Sequence, residues 1–311
     1  MKVAIAGYGV EGKASYKYWR SLGEQVTIVD EQAISAHDLP YGAAAITGPG
    51  SFKALDGFDL VVRSPGIAPD RLNTGGKVWS ATNEFMTKCQ TPIIGVTGSK
   101  GKGTTASLID SILRAAGKKT VLVGNIGRPA LEVLDEANQA DAVVYEMSSF
   151  QLWDITKSPH VAVLLPIEPD HLDVHKGMRD YVEAKMNIVR FQSEGDVCVC
   201  HYSHRDRPEF PDTQAGYLEY PSPASVYTKD GWFYAKDRRL CPVGSLKLPG
   251  QHNIDNACAA IIAALTMISA ERVDEIGDVV SRGLGGFSGL PHRLKLVAKK
   301  AGVGYYDDSI A

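Results

Sequence analysis

The fold of this chain is decided by Thr97-Gly98-Ser99-Lys100-Gly101-Lys102-Gly103-Thr104-Thr105. An apolar run, residues 92–96, precedes this stretch, and a helical pattern, residues 106–113, follows it. A glycine-rich turn between a strand and a helix directs backbone N–H groups at phosphate oxygens, and the helix N-terminus adds partial positive charge. Residues 97–105, the cradle, therefore predict a triphosphate site in which Lys102 contacts the β- and γ-phosphates and a neighbouring hydroxyl binds Mg²⁺.

Gly103 stands where the usual motif has a serine or threonine directly after the lysine, so Thr104 is the candidate hydroxyl. An ordinary glycine-rich turn before a helix is the alternative interpretation. Three glycines, two lysines and two threonines between a strand and a helix favour the phosphate site.

The composition is that of a globular protein, with 311 residues, 44% apolar and 22% charged, and a formal net charge of −3. About two domains of roughly 150 residues fit this length. The charge gives no reason to expect a nucleic acid or an anionic membrane as partner, and no apolar run is long enough to cross a bilayer. The five cysteines are scattered, and we expect reduced core thiols in the cytoplasm.

Residues 1–89 predict a small α/β domain. A buried-strand pattern is followed by Gly7-Tyr8-Gly9-Val10-Glu11-Gly12 (the first turn), by a helical segment over residues 14–22, and by a strand over residues 25–30 that ends in Asp30. This is the dinucleotide-binding fingerprint in its expected context, and taken alone it predicts NAD with Asp30 on a ribose hydroxyl. A dehydrogenase would leave the cradle unexplained, so we expect ATP there and another diphosphate-bearing molecule at the first turn.

Residues 90–290 alternate strands and helices again, which predicts a doubly wound parallel sheet. We expect strands at residues 92–96, 119–123, 142–146, 160–165 and 196–200, and helices at residues 104–116, 178–191, 252–268 and 272–283. Residues 225–235 predict a hairpin with an Asp-Gly turn, a small antiparallel addition. Residues 291–311 predict the opening of a third unit, with strand-like segments at residues 295–297 and 304–306.

Acidic and imidazole side chains follow two of the predicted strands. Glu146 ends a strand at the sheet edge where ligands bind, which suits Mg²⁺, although a capping or surface acid is the alternative. Asp170-His171-Leu172-Asp173-Val174-His175 follows another strand, and because its spacing is not a zinc pattern, one histidine with Mg²⁺ is the better match. Asp173 and His175 are equally well explained as polar groups of a surface loop.

Two predicted helices carry further candidates. Asn253 and Asn256 are three residues apart on one helical face, which suits the amide edge of a purine, while helix capping by Asn253 competes. Lys185 lies within a helical pattern, and that pattern alone predicts a solvated surface lysine.

Taken together and in order, these segments resemble the Mur ligase family, the ATP-dependent amide-forming enzymes of peptidoglycan precursor synthesis. The resemblance covers the whole chain and rests on Gly7–Gly12, Ser64-Pro65-Gly66-Ile67, Thr97–Thr105, Gly124-Asn125-Ile126-Gly127, Glu146–Gln151, Asp170–Asp173, Tyr181–Lys185, Gly250–Asn256 and Gly289-Leu290-Pro291-His292-Arg293. It implies a Rossmann-like domain over residues 1–89 and a central P-loop-type, doubly wound ATPase domain over residues 90–290. Residues 291–311 would be a linker and the start of a truncated third domain.

The resemblance also implies roles for individual residues. The first turn would bind the UDP of a sugar nucleotide rather than NAD, and that substrate would contact Gly7, Gly9, Val10, Glu11, Gly12, Asp30, Ser64, Pro65, Gly66, Asn83, Asn125, Ser148 and Gln151. ATP would contact Gly98, Ser99, Lys100, Gly101, Lys102, Gly103, Thr104, Thr105, Asn253, Asn256, Arg293 and Asp308. The catalytic residues would be Lys102, Glu146, His171 and Lys185. One Mg²⁺ would be held by Thr104 and Glu146, and a second by His171 and a carbamylated Lys185.

The implied activity is that of an acid–amino-acid ligase, a cytoplasmic monomer that adds D-glutamate to UDP-N-acetylmuramoyl-L-alanine through an acyl phosphate. Because most of the third domain is missing, we expect little or no ligation by this chain alone. A relative with a different UDP-sugar or a folate substrate stays open, as does a non-catalytic nucleotide-binding module. The Ser-Pro-Gly-Ile segment argues against folate, and the presence of Glu146, His171 and Lys185 argues against a non-catalytic module.

Overall fold

A computed structural model describes residues 1–268, 275–290 and 295–307. The N-terminal part contains strands β1 Lys2–Ala6, β2 Gln25–Asp30, β3 Ala44–Thr47, β4 Leu60–Arg63 and β5 Lys77–Ser80, and helix α1 Val10–Ser21. The strands pair in parallel in the order β3-β2-β1-β4-β5. Successive side chains of β1 point to opposite faces, so Val3 and Ile5 join one apolar cluster and Ala4 and Ala6 another.

The second sheet consists of β6 Ile93–Thr97, β7 Thr120–Gly124, β8 Ala142–Glu146, β9 Val161–Leu164, β10 Val197–His201 and β11 Gly216–Tyr220. These strands are parallel, in the order β11-β10-β9-β6-β8-β7. The helices are α2 Ala81–Lys88, α3 Lys102–Ala115, α4 Leu134–Ala137, α5 Ser149–Leu152, α6 Met178–Arg190, α7 Gln251–Leu265 and α8 Ile276–Gly286. Helices α3, α7 and α8 cover one face, and α2 and α6 cover the other. Because β6 lies inside the sheet, the cradle that follows it lies along the middle of the carboxyl edge.

Helix α2 follows the N-terminal sheet in sequence, yet it packs into the core of the second sheet. Ser80 caps it, because its Oγ accepts a 3.1 Å hydrogen bond from the N–H of Asn83. Phe85 and Met86 are fully buried in the second core, and the Phe85 ring meets the Tyr145 ring edge-on, with centroids 5.7 Å apart. The two sheets are therefore joined by shared apolar packing as well as by the chain.

Two small antiparallel sheets complete the described part. Strands β12 Val226–Lys229, β13 Trp232–Ala235 and β14 Arg238–Pro242 form one, and β15 Lys295–Lys300 pairs with β16 Val303–Asp307 in the other. Asp230 and Gly231 have positive φ between β12 and β13, so the predicted Asp-Gly hairpin is confirmed. The predicted fold class is also confirmed: α/β, with mainly parallel sheets and a small antiparallel addition.

The predicted helices and strands occur with small shifts at their ends. The helix expected at residues 104–116 is Lys102–Ala115, and the one expected at 252–268 is Gln251–Leu265. The helix expected at 272–283 includes Ile276–Gly286, and residues 269–274 lie outside the described residues. In the described ranges, every helix falls short of the length and apolar character that a bilayer crossing requires.

Candidate active site

The cradle is packed so closely that two of its positions admit only glycine. Gly98 has a φ of +154° and Gly101 a φ of +83°. A Cβ atom on Gly98 would lie 2.5 Å from Cβ of Leu165, and one on Gly101 would lie 2.6 Å from Oδ1 of Asn256. The backbone of the cradle is therefore packed between the segment after β9 and the start of α7, with no space for a side chain at either position.

Close packing explains why Gly103 stands where the usual motif has a serine or threonine. A Cβ atom on Gly103 would lie 2.8 Å from Cδ1 of Leu290 and 3.3 Å from Cγ2 of Ile126. A serine or threonine would have to displace these side chains. The next hydroxyl is on half-buried Thr104, and the Oγ1 atom of buried Thr105 has no hydrogen-bond partner among the described residues.

Two lysine amines converge on one carbonyl oxygen of the cradle. Lys102 Nζ donates to the carbonyl oxygens of Gly98, at 3.1 Å, and Ser99, at 2.9 Å. Lys185 Nζ reaches the same Gly98 oxygen from α6, at 2.8 Å, and lies 4.6 Å from the centre of the Tyr181 ring. The helical pattern alone predicted a solvated surface lysine at position 185. That prediction is wrong, because Lys185 is only 1% exposed.

Burial lowers the pKa of Lys185 well below its usual value, and the neighbouring charge of Lys102 lowers it further. Asp170 and Glu146 oppose this shift, but less strongly. The amine is therefore driven toward its neutral form, which is the nucleophilic form of a lysine.

Glu146 ends β8 beside β6, in register with Val96. Its side chain is buried, and Oε2 accepts a 2.9 Å hydrogen bond from the N–H of Ile126. Mg²⁺ prefers carboxylate, hydroxyl and phosphate oxygens. The Glu146 carboxylate ends the strand beside the cradle, and the hydroxyls of Thr104 and Thr105 lie at the last two positions of the cradle, so the residues at this edge fit a magnesium–nucleotide site.

The loop after β9 carries His171, which has a φ of +52° and a side chain 48% exposed. Its ring lies 5.1 Å from the Phe150 ring and its Nε2 lies 3.6 Å from Oδ2 of Asp170. Within the described residues, His, Cys, Asp and Glu side chains form no group of three that could hold a metal ion.

One interpretation of its motif made His175 a polar group of a surface loop, and the structure shows instead that the side chain is buried. Its imidazole is buried, with Nδ1 2.8 Å from Oδ2 of Asp180 and Nε2 2.9 Å from Oγ of Ser149. The ring also stacks on Phe150, with centroids 5.3 Å apart. His175 thus connects the loop that carries His171 to α5 through Ser149 and to α6 through Asp180. A short polar motif does not indicate this role.

The first turn is closed by contacts of its own backbone. Gly7 has a φ of +86°, and a Cβ atom on Gly12 would lie 2.0 Å from the carbonyl oxygen of Gly7. Ser64 Oγ donates a 2.8 Å hydrogen bond to that oxygen, and Asp30 Oδ2 accepts a 2.7 Å hydrogen bond from the N–H of Tyr8. Ser64 and Asp30 therefore both support the turn.

The first turn is connected directly to the segment after Glu146. Gln151 Nε2 donates a 2.6 Å hydrogen bond to Oε1 of Glu11, and Gln151 Oε1 accepts from the N–H of Ser148 at 2.9 Å. Ser148 Oγ in turn accepts from the N–H of Gln151, which completes a capping box at the start of α5. Three residues expected at the sugar nucleotide thus form one network.

A buried arginine that the sequence pattern did not mark fastens the two sheets together. Arg63, at the end of β4, donates to both carboxylate oxygens of Asp154, at 2.9 and 2.7 Å, and to the carbonyl oxygens of Ile67 and Phe150. Asn83 holds the same segment, because its Nδ2 donates to the carbonyl oxygen of Asp154 at 2.8 Å. A charged residue that ends the apolar run Leu60-Val61-Val62 was the available signal.

The two asparagines expected at the purine lie beside the cradle. Asn256 Nδ2 is 3.4 Å from Oδ1 of Asn253, and Asn253 Nδ2 donates to the carbonyl oxygen of Pro249 at 2.7 Å. Asn125 follows β7, next to the end of β8. Arg293 and Asp308 lie outside the described residues.

A cleft of about 600 Å³ lies between the N-terminal part and the central part. Gly66, Asp70 and Arg71 line it on one side, and Trp153, Asp173 and Lys176 line it on the other. Lys176 Nζ and Asp70 Oδ2 form an exposed ion pair across it at 2.5 Å. The guanidinium of Arg63 lies 5.9 Å from the centre of the Trp153 ring, so the buried arginine lies behind this cleft.

Comparisons with known proteins identify the family of the chain. Residues 96–219 match the family described as the Mur ligase middle domain. Over its whole length the chain is 35% identical to a protein of Acetivibrio thermocellus and covers 70% of that protein. The chain therefore belongs to the Mur ligase family, the ATP-dependent ligases of peptidoglycan precursor synthesis.

Two of these relatives carry the name of the same enzyme of the family. The Acetivibrio thermocellus protein is named UDP-N-acetylmuramoylalanine--D-glutamate ligase, and so is a relative from Ruminiclostridium cellulolyticum that is 34% identical, with 99% of this chain and 70% of the relative covered. The chain thus spans about 70% of the length of both relatives.

Solved structures of the family share the fold at low identity. A UDP-N-acetylmuramate:L-alanyl-gamma-D-glutamyl-meso-diaminopimelate ligase from Neisseria meningitides aligns with a TM-score of 0.60 at 17% identity, covering 93% of this chain and 98% of that one. The UDP-N-acetylmuramate-alanine ligase MurC of Thermotoga maritima aligns with a TM-score of 0.56 at 20% identity, covering 99% and 74%.

Proposed function

We propose that this protein serves the ATP-dependent addition of D-glutamate to UDP-N-acetylmuramoyl-L-alanine, as a cytoplasmic monomer. The convergence of Lys102 and Lys185 on the carbonyl oxygen of Gly98, at the carboxyl edge that also carries Glu146, is the observation that supports this most directly. The first turn and the cradle are two phosphate-binding geometries on two sheets, and they fit the two nucleotides of this reaction.

In the proposed reaction, an oxygen of the L-alanyl carboxylate attacks the γ-phosphorus of ATP, and the bond to the β,γ-bridging oxygen breaks to release ADP. Lys102, at the start of α3, would stabilise negative charge on the transferred phosphoryl group. The amine nitrogen of D-glutamate then attacks the carbonyl carbon of the acyl phosphate, loses a proton and expels inorganic phosphate. Bound Mg²⁺ supplies charge neutralisation at the phosphates.

The proposed ligands of the first Mg²⁺ are Thr104 and Glu146, and those of the second are His171 and Lys185. For Lys185 this requires carbamylation: the neutral amine attacks the carbon of CO₂, loses one proton and becomes an anionic carbamate. The low pKa that burial and Lys102 impose on Lys185 favours that step, because only the unprotonated amine can attack. The carbamate would then offer anionic oxygen ligands, which Mg²⁺ prefers, in place of an amine nitrogen.

Ser148 and Gln151 would position the sugar-nucleotide substrate from the start of α5, and Asn125 would do so from the end of β7. Asn253 and Asn256 would contact the purine of ATP from the first turns of α7, next to Gly101. Arg293 and Asp308 are proposed ATP contacts as well.

A ligand panel in a thermal unfolding assay tests the proposal, because a ligand that binds only the folded state raises the midpoint. UDP-N-acetylmuramoyl-L-alanine and ATP with Mg²⁺ should each raise it, and NAD and folate should not. Stabilisation by NAD without stabilisation by the UDP-sugar would contradict the proposal.

Two variants assign each ligand to its site. Lys102→Ala should abolish the response to ATP with Mg²⁺ and leave the response to the UDP-sugar, whereas Gly7→Val should do the reverse. Phosphate release by a chain extended to the full length of these relatives, with a panel of D- and L-amino acids, then tests whether D-glutamate is the amine. Sedimentation velocity measures the oligomeric state, and we expect the mass of a monomer, 33.5 kDa.

A further inference from the structure

We propose that Glu11 takes up a proton when the diphosphate of the sugar nucleotide binds at the first turn, so that substrate binding and protonation of this carboxyl are one linked event. The inference rests on the proposed function, because it concerns the same diphosphate. It adds a role for a side chain that lies between the first turn and the substrate-positioning segment.

The placement of the carboxyl is the first ground. Glu11 lies in the first turn of α1, between Gly9 and Gly12, where a diphosphate bound by the first turn would be close to it. Its Oε1 accepts the 2.6 Å hydrogen bond from Gln151 Nε2. Its Oε2 is buried and has no hydrogen-bond partner among the described residues. An ionised carboxylate with one unsatisfied buried oxygen is costly, and a proton on that oxygen removes the charge.

The second ground is the set of groups that face Glu11. Arg63 of β4 and Tyr145 of β8 interact with it electrostatically, and α5 contributes only the uncharged Gln151. The N–H groups of Arg63 are already used by Asp154 and by the carbonyl oxygens of Ser64, Pro65, Ile67 and Phe150. Arg63 therefore attracts the Glu11 carboxylate without donating to it, and nothing else on these elements stabilises the charge.

Burial raises the pKa of Glu11 to about 6, against the smaller opposing effects of Gln151 and Arg63. A bound diphosphate adds about two negative charges nearby, which disfavours the ionised carboxyl further. At neutral pH the carboxyl is then mostly ionised in the free protein and mostly protonated in the complex. By linkage, the affinity for the sugar nucleotide must fall as the pH rises, by up to about tenfold per pH unit between the two pKa values.

Isothermal titration calorimetry with UDP-N-acetylmuramoyl-L-alanine at pH 7, in two buffers of different ionisation enthalpy, counts the protons taken up. This ligand suits the test because each of its phosphates carries one ester bond and the shared anhydride bond, so neither has a group that titrates near neutrality. We expect net uptake approaching one proton for the parent protein. Glu11→Gln keeps the size and an acceptor for Gln151 but cannot ionise, so its uptake should fall toward zero. It should also bind at pH 8 tens of times more tightly than the parent, as a mimic of the protonated side chain, because uptake of nearly one proton at pH 7 requires the pKa in the complex to lie roughly two units above that of the free protein.

Glu136→Gln is the matched control, because Glu136 is an exposed acid paired with Arg128, and its proton uptake should equal that of the parent. Uptake that persists in Glu11→Gln would overturn the assignment to Glu11. The dissociation constant of the parent between pH 5.5 and 8 provides a test that needs no variant, and a flat profile would overturn the inference while leaving the proposed function intact. Failure of the parent to bind the UDP-sugar at all would overturn both.

Discussion

Lys185 Nζ donates a 2.8 Å hydrogen bond to the carbonyl oxygen of Gly98, although the two residues are 87 positions apart in the chain. The contact places a buried amine directly beneath the turn that follows β6. It also brings Lys185 near Lys102, whose charge lowers the pKa of the Lys185 amine. A neutral lysine beside a phosphate-binding turn is a reactive group rather than a simple counter-charge.

Carbamylation of Lys185 is therefore the first prediction. With ¹³C-labelled bicarbonate at pH 8, the protein should give one carbamate carbon resonance that disappears in Lys185→Arg, because a guanidinium does not attack CO₂. Lys100→Arg, at an exposed position of the same cradle, should keep the resonance. A parent protein without the resonance would contradict the prediction.

Gly101→Ala should lower both stability and nucleotide binding. An alanine at a φ of +83° costs about 1 kcal/mol of unfolding free energy, and its Cβ would also overlap Oδ1 of Asn256, which adds roughly 1–3 kcal/mol. Gly23→Ala is the control, because Gly23 has a φ of +81° and open space where the Cβ would be. Urea unfolding should show the smaller loss for Gly23→Ala, and only Gly101→Ala should lose thermal stabilisation by ATP with Mg²⁺. Equal losses of stability in the two variants would show that the Asn256 contact is unimportant.

Removal of the carboxylate that pairs with Arg63 should destabilise the protein strongly. Arg63 is fully buried, so Asp154→Ala leaves an uncompensated interior charge, at a cost of about 3 kcal/mol of unfolding free energy. Glu183→Ala removes an exposed ion pair with Arg179 and should cost less than about 1 kcal/mol. Denaturant unfolding of both variants measures the difference. A loss for Asp154→Ala as small as that for Glu183→Ala would argue against a structural role of the buried pair.

The protein should lose stability below pH 6.5, and part of this loss should come from His204. Burial lowers the pKa of His204 to about 4, while the unfolded chain binds a proton near pH 6.5. Because the unfolded state binds more protons between these values, unfolding becomes easier as the pH falls through 6.5. The contribution of His204 between pH 7.5 and 5.5 is about 1 kcal/mol.

His204→Gln isolates that contribution, because glutamine can still donate to the carbonyl oxygen of Leu165, which His204 Nε2 contacts at 2.9 Å, but does not titrate. Urea unfolding at the two pH values should show a smaller acid loss for this variant. His37→Gln, at an exposed position, should retain the full loss. An unchanged pH dependence in His204→Gln would refute the assignment.

Much of the fold was predictable from the chain because its parallel strands are buried on both faces. Such strands are continuous apolar runs, as in residues 142–145, and they stand out from the helical patterns between them. Strand β3 is the opposite case: all four of its residues are exposed, and its short run of alanines with one isoleucine lacks the large β-branched side chains that mark a buried strand. Helix α2 was missed because its buried side chains include Thr82, Asn83 and Glu84, and polar residues do not indicate a buried face.

The site was predictable at its turns and not at its tertiary contacts. Glycine spacing marks the first turn and the cradle, because phosphate binding requires backbone close to the ligand. The burial of Lys185 and His175 depends on helices and loops far apart in sequence, and their local patterns are those of surface residues. The hydrogen bond between Glu11 and Gln151 joins residues 140 positions apart, and no local pattern could indicate it.

The two ion pairs that connect the N-terminal and central parts, Arg63 with Asp154 and Lys176 with Asp70, differ greatly in their exposure to water. The pair of Arg63 and Asp154 behind Trp153 is shielded from water on the arginine side, whereas Lys176 and Asp70 are both well exposed at the opening. An exposed pair contributes little and is screened by salt. Added salt should therefore weaken the pair of Lys176 and Asp70 before it affects the pair of Arg63 and Asp154. A ligand that bridges the opening of the cleft would then contribute more to holding its two sides together than the exposed pair does.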